Sequence, residues 1–400
     1  MEDMKKFSIL MVGETASRIG NNLFDIAIIW YVNKLTSSTA IVGGVTALFN
    51  SVVFLEVFTG YFADKIPKAK LMLIIDVLQV LAMITAIVMY SILGTSELLV
   101  VCVAFFSKLL GSFFDPTVNA IIPELVDDRN LDKANGINQG IQFATQLIGM
   151  LFGGILIAWI SLSSFLIVNA ITFIVSFISI LFLVAKFKII QSRDLNNRSV
   201  LEQSNLVSGI KYVYRNKKLL QIVIISMLTM FLVGPFMSLD VVWVTRVLKS
   251  NATIYALTEI MLIIGLLIGN LLAGFIKITL HANLIFSLVC MGLCLAIIGL
   301  TKSVFLTLLL VIPFGGSAGI VSVKIMSYLQ TTTPKELMGR VTGATTGLSN
   351  TAMPLGMLLG GLISEKIGVS LTFIFIGIII IIFGMSLPLV LLSQLKKAQK

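Results

Sequence analysis

Residues 148–155 read IGMLFGGI, and residues 355–362 read LGMLLGGL. The offset is 207 residues, and at that same offset Gly136 and Gly140 match Gly343 and Gly347. Upstream, LGSFFDP at 110–116 resembles GGSAGIV at 315–321 across a small gap. A repeat of this length predicts equivalent helices, the fifth and the eleventh of two six-helix halves that share one orientation. Parallel repeats about an axis along the membrane normal are one large transporter architecture. Glycines four residues apart let helices approach closely, which suits packing within each half.

Composition agrees with a chain embedded in lipid. Of its 400 residues, 57% are hydrophobic and 12% charged, where a soluble chain carries about 25% charged residues. Mean hydropathy is +1.03. A bilayer core needs about 20 apolar residues per helix. Apolar runs between polar breaks predict twelve spans, at 7–32, 40–63, 71–93, 98–122, 135–160, 164–186, 219–245, 254–277, 283–301, 305–329, 338–363 and 369–393. The expected fold is therefore an all-α membrane protein of two pseudo-symmetric six-helix bundles. Residues 1–186 would form the first bundle, 187–218 a linker, and 219–400 the second. Within the linker, Leu206, Ile210 and Tyr214 recur at i,i+4 among basic residues, as in a helix lying on a membrane surface. The first run is too long and polar for a signal peptide and reads as mature structure.

The net charge of +10 has a topological explanation. Counted over loops and termini, 21 of the 29 Lys and Arg fall on one side, 5 on the other and 3 inside spans. The positive-inside rule then predicts cytoplasmic termini, with no role for nucleic acid. Trp30, Trp159 and Trp243 fall at the opposite, outer ends of helices, where an aromatic belt is expected. Other chemistry is narrowed by what the sequence lacks. His281 is its one histidine, Cys102, Cys290 and Cys294 sit in apolar runs without a CxxC, and no GxxxxGK[ST] occurs. No enzyme activity, cofactor or metal is expected.

Several motifs carry a family likeness. GYFADKIPKAK at 60–70 resembles the signature loop of the major facilitator superfamily through Gly60, Asp64, Lys65, Lys68 and Lys70, with Pro67 where glycine is usual. NNLFDIAIIWYVNKLTSSTA at 21–40, DPTVNAIIPELVDDRNLDKANGINQ at 115–139 and GIKYVYRNKKLL at 209–220 are similar to the macrolide-efflux branch of Gram-positive drug exporters. The resemblance implies that Gly60, Asp64, Lys65 and Lys68, with Arg340 at the start of the eleventh span, form a cytoplasmic gate. Two other motifs depart from the family. The fourth span has Lys108 where arginine is usual, ahead of Gly111, and the fifth has Gly149, Gly153 and Gly154 without the proline of the antiporter motif.

Ten ionisable side chains lie within the spans: Glu14, Arg18, Asp25, Glu56, Asp76, Lys108, Asp115, Asp240, Glu259 and Lys324. Each costs roughly 2.5–3.5 kcal/mol at a helix centre on insertion scales, so they must pair, face water or be neutral. Seven are acids and three are bases, and the acid excess points to proton binding. Glu14, Arg18, Asn21 and Asp25, spaced four, three and four, form one stripe on the first helix. Glu14 and Arg18 are spaced to pair, which leaves Asp25 as the expected less satisfied acid and proton carrier. The alternative is a structural salt-bridge network. Lys108 and Asp115 share a face, and the resemblance places the fourth and tenth helices, with Lys324, around a central cavity. Asp76 reads as a brace, while Glu56, Asp240 and Glu259 read as hydrated groups near membrane faces. Phe24 and Met237 are candidates for an apolar drug surface.

Together these readings predict a proton-coupled exporter of amphipathic small molecules in a bacterial plasma membrane, monomeric, with protons and lipids as its other partners. A lipid or lysophospholipid translocase of the same fold is the alternative.

Overall fold

The computed structural model describes residues 2–52, 66–93, 97–187, 206–276, 278–334 and 337–398. The described residues form helices and connections, with no strand among them. In chain order the helices are α1 Glu2–Leu35, α2 Thr39–Ser51, α3 Lys68–Leu93, α4 Glu97–Gly111, α5 Phe114–Leu125, α6 Asp128–Leu156 and α7 Leu162–Phe187. After these come α8 Leu206–Arg215, α9 Lys217–Val242, α10 Ala252–Phe275, α11 Leu280–Leu300, α12 Val304–Thr332, α13 Met338–Ile367 and α14 Val369–Ala398. A π-helical segment, Trp243–Val247, extends α9.

Eight described segments are long and apolar enough to cross a membrane: Lys68–Ile92, Val101–Leu125, Leu162–Phe187, Lys217–Val247, Ala252–Phe275, Leu280–Leu300, Val304–Thr332 and Val369–Leu387. Large apolar side chains on them face outward, Ile92 at 75% exposure, Leu271 at 72% and Phe275 at 79%. Surface of that kind is stable in hydrocarbon rather than in water. Helices α1, α6 and α13 stand outside those eight, and the sequence of each is polar along part of its length: the α1 stripe, the DRNLDKANGINQGIQ start of α6, and TGATTGLSNT in α13.

Helix boundaries follow local chemistry. The run read as one span at 98–122 is broken between α4 and α5. Pro116 has no N–H to give to the carbonyl of Ser112 and its ring crowds that position, while Gly111 ends α4. Asn216 separates α8 from α9 by accepting from the amides of Lys218 at 3.2 Å and Leu219 at 3.3 Å, an N-cap that satisfies otherwise orphaned donors. Gly368, at φ +83°, turns the chain between α13 and α14, a conformation that favours glycine.

The chain divides into two compact units, Met1–Ser37 with Leu48–Asn197, and Ser38–Ala47 with Arg198–Lys400. In the first, α1 packs on α6 and α7, and α3 packs on α7. Phe7, Leu10, Met72, Ile121, Ile122 and Leu183 fill one end of it. In the second, α9 packs on α13, α11 on α14, and α10 on α12. The repeat glycines make matching contacts. A Cβ added at Gly149 or Gly153 would come within 2.3 Å of Asn22 Cβ or Ile26 Cγ2 on α1. One added at Gly356 would stand 1.9 Å from the Phe231 carbonyl oxygen on α9, and one at Gly360 would stand 2.5 Å from Pro235 Cβ. Gly136, Gly140, Gly343 and Gly347 behave otherwise: a Cβ there meets nothing within 4 Å, so this part of the repeat is not a helix-packing motif.

One further expectation is corrected. Trp243 is not a belt residue. It is 1% exposed and lies 5.3 Å, ring to ring, from Phe373, beside Phe236 and Phe314, because the π turn directs it into an aromatic cluster. Trp159, by contrast, is 83% exposed. By its contacts Ser38–Ala47 groups with the second unit. There Glu365 Oε2 accepts from Thr39 N at 2.6 Å, Ala40 N at 3.2 Å, Thr39 Oγ1 at 2.9 Å and Ser38 Oγ at 3.1 Å. A carboxylate at a helix N-terminus is favoured by both orphan amides and the helix dipole.

These bonds, the Ala40 amide first among them, hold Glu365 below the ordinary glutamate range. A lowered carboxyl contributes stability above its unfolded-state pKa and loses it as pH falls through the folded value. Hydrogen-exchange protection of the Thr39 and Ala40 amides should therefore fall on acidification below the ordinary glutamate range. In Glu365→Gln the acid-dependent part should vanish, and identical pH profiles for both proteins would refute the clasp.

Candidate transport pocket

A cavity of about 360 Å³ opens within the first unit, lined by α1, α4 to α6 and the end of α2. That volume is in the range of small-molecule sites. The α1 stripe supplies Arg18, Asn21, Asn22 and Asp25, and Lys108 and Asp115 come from α4 and α5. Phe24 also lines it, giving an apolar surface beside the charges.

Two charge clusters of different character stand here. Arg18 Nε lies 2.5 Å from Glu14 Oε1, and its Nη2 donates to Asp115 Oδ1 at 2.8 Å. Its Nη1 donates to Asn138 Oδ1 at 3.0 Å. The Glu14 and Arg18 side chains are 1% and 11% exposed, and Glu14 sits behind the cavity wall. Lys108 Nζ pairs with Asp25 Oδ2, and these side chains are 36% and 35% exposed. Magnitudes separate the roles. Breaking a buried pair from one side costs about 3–5 kcal/mol, whereas a partly exposed pair is worth about 0–1 kcal/mol. The Glu14–Arg18–Asp115 cluster is thus a strut, and Asp25–Lys108 is a pair that opens at small cost.

The expectation that Asp25 is the less satisfied acid is corrected by its partner on α4. The kink at Gly111–Phe113 leaves Lys108 and Asp115 on one wall, facing α1. Asp76 does brace, fully buried and accepting from Ser176 Oγ on α7 at 2.8 Å. Lys324 is not among the residues lining this cavity. It lies in the second unit, where its Nζ donates to the Ile276 carbonyl at 2.8 Å, closing the C-terminus of α10 as a cation favourably does. Gly60, Asp64, Lys65 and Glu56 lie outside the described residues, as does the side chain of Arg340. Lys68 pairs with Glu124 at the end of α5. Met237 is half-buried in the second unit.

Sequence reasoning missed Asn138, Gln142, Thr145 and Gln146, which extend the polar wall on α6. Their spacing of four, three and one places them on one helical face, so the same periodicity argument used for α1 finds them.

Among the described residues, helices with outward-facing apolar surfaces and a charged cavity inside one unit are the features of a membrane-embedded protein. The chain belongs to the Major Facilitator Superfamily, whose family model matches residues 10–356. It is accordingly a membrane transporter and not an enzyme. Macrolide efflux protein A of Streptococcus pyogenes is 24% identical over 399 residues, 96% of each chain. Multidrug efflux pump Tap of Mycolicibacterium fortuitum is 25% identical over 402 residues, covering 96% of this chain and 93% of that one. Among solved structures, the nucleoside transporter NupG aligns with a TM-score of 0.68 at 13% identity, over 96% of this chain and 98% of that one. A bacterial homologue of the iron transporter ferroportin, in an inward-facing state, aligns with a TM-score of 0.67 at 16% identity over 96% and 98%. At these identities the structural likeness speaks for the fold alone.

Proposed function

We propose that the protein exports amphipathic small molecules across a bacterial plasma membrane by alternating access, driven by proton influx. On this reading twelve spans form two six-helix bundles, 1–186 and 219–400, joined by 187–218, with both termini cytoplasmic. The matching helix pairs, α1 with α6 and α9 with α13, support the two-bundle reading. The exposure of Ile210 and Tyr214 on α8 supports its contact with the inner leaflet. The efflux names of full-length relatives support the direction of transport.

The observation that carries the coupling is the half-exposed Asp25–Lys108 pair in the pocket wall. A proton from outside neutralises Asp25, releases Lys108 from its partner and changes the charge that the cavity offers to substrate. Phe24 supplies apolar contact for the carried compound. A growth-inhibition screen against varied amphipathic toxins, with and without expression, tests export. At least one compound should become less toxic with expression, and an uncoupler should cancel that protection. No protection across the panel, or protection indifferent to the uncoupler, would contradict the reading.

Lipid or lysophospholipid translocation is the second reading, favoured by two cations in the pocket that suit a phosphate. Arg18 is already held by Glu14, Asp115 and Asn138, which leaves Lys108 as the pocket cation for that role. A flipping assay with headgroup-labelled lysophospholipid separates the two.

A further inference from the structure

Helix α8 is 10 residues long and stops one residue short of α9, whose membrane-crossing segment starts at Lys217. Asn216 between them caps α9, so the two helices meet at the edge of a span. Ile210, Lys211, Tyr214 and Arg215 share one side of α8 and are exposed, Tyr214 at 74% and Ile210 at 43%. Val213, on the other side, is 1% exposed, and α8 packs on α13 and α9. The outward side thus joins an aliphatic and an aromatic group to two cations. Lys217 and Lys218, both exposed, add two more within the next turn.

Nothing nearby balances this charge. Residues 206–239 contain no Asp or Glu. Among the described residues no carboxylate pairs with Lys211, Arg215, Lys217 or Lys218. The dipole of α9 does not help either, since cations are disfavoured at a helix N-terminus. Charge complementarity therefore asks for an anionic partner, and the apolar groups narrow its chemistry. A second copy of the chain, meeting this face about a two-fold axis, would set like charges together. Free phosphate would satisfy the cations and leave Ile210 and Tyr214 in water. An anionic phospholipid satisfies both, with its phosphate at the cations and its acyl boundary at the apolar groups. Tyrosine is favoured at that boundary.

We propose that α8 and the start of α9 form a binding site for anionic phospholipid. Lys211, Arg215, Lys217 and Lys218 hold the headgroup, and Ile210 and Tyr214 enter the acyl boundary. The proposal rests on α8 lying on the inner leaflet and adds the class of lipid bound there. Through the packing of α8, that lipid fastens α9 and α13, the helices that cross at Gly356 and Gly360.

Two measurements on the purified full-length protein test it. In the first, native mass spectrometry in neutral detergent follows titration with phosphatidylglycerol or phosphatidylcholine. Wild type should bind its first phosphatidylglycerol the more tightly. Each cation at an anionic surface is worth about a fivefold change in affinity, so Lys211→Gln, Arg215→Gln, Lys217→Gln and Lys218→Gln combined should lose about tenfold or more. The matched control carries glutamine at Lys34, Lys249, Lys302 and Lys366, exposed lysines of other loops, and should keep wild-type affinity. In the second, Tyr214→Cys carries a fluorophore, with Cys102, Cys290 and Cys294 changed to alanine. Phosphatidylcholine nanodiscs containing a lipid spin-labelled just below its headgroup should quench it strongly. Quenching without a preference for phosphatidylglycerol, or equal losses in the two quadruple variants, would overturn the lipid site and leave α8 on the leaflet. Absence of quenching would overturn both. A wild-type dimer that the quadruple α8 variant loses would assign the face to a second copy and overturn the proposal as well.

Discussion

Arg18→Leu should destabilise the protein by about 3–5 kcal/mol, the cost of leaving a buried charge without its partner. The Glu14 side chain is 1% exposed, and its second oxygen already lacks a hydrogen-bond donor. Removing the guanidinium leaves that carboxyl enclosed and also frees Asp115 and Asn138 from their anchor. Asp115 suffers less, because its side chain is 57% exposed. Adding Glu14→Leu to the single variant should restore most of the loss, since replacing both members of a buried pair by apolar groups is often neutral or stabilising. Thermal unfolding of the purified proteins in one detergent measures both effects. A single variant as stable as wild type would remove the strut from the account, as would a double variant weaker than the single one.

Gly356→Ala should give the second large effect. Its new Cβ would stand 1.9 Å from the Phe231 carbonyl oxygen, and the obstacle is backbone rather than a movable side chain. Helices α9 and α13 must then separate, at a cost of about 1–3 kcal/mol or more for overpacking. Gly343→Ala is the matched control on the same helix, where the added methyl meets nothing within 4 Å. Alanine is the better helix former by about 1 kcal/mol, so this variant should be neutral or slightly stabilised. Equal unfolding temperatures for the two variants would refute the reading of Gly356 as a helix-crossing point.

The contrast between these glycines shows where sequence reasoning succeeded. The repeat at 148–155 and 355–362 located contacts between real helix pairs, whereas Gly136xxxGly140 and its counterpart shared the spacing but not the contact. Periodicity along one helix was legible: the stripe Glu14, Arg18, Asn21, Asp25 is a single face, and the Glu14–Arg18 pair forms as its spacing implies. Contacts between helices were not. Nothing along the chain says that Lys108 reaches Asp25, that Lys324 reaches the end of α10, or that Glu365 closes the start of α2. The break at Gly111–Phe113 was visible in Pro116 but hidden by the apolar run around it. Trp243 and Asp240 were misplaced for one shared reason. Position near a helix end suggests exposure, whereas the packing of α9 and its π extension leaves both groups buried.

In the proposed function Asp25 and Lys108 are the pair that couples proton entry to export. Its most direct test is transport in proteoliposomes carrying an imposed pH gradient, with a substrate found by the growth screen. Wild type should accumulate the compound against its concentration and lose that ability when the gradient is dissipated. Asp25→Asn should still exchange the compound down its own gradient but no longer accumulate it. Full gradient-driven accumulation by Asp25→Asn would contradict the central claim.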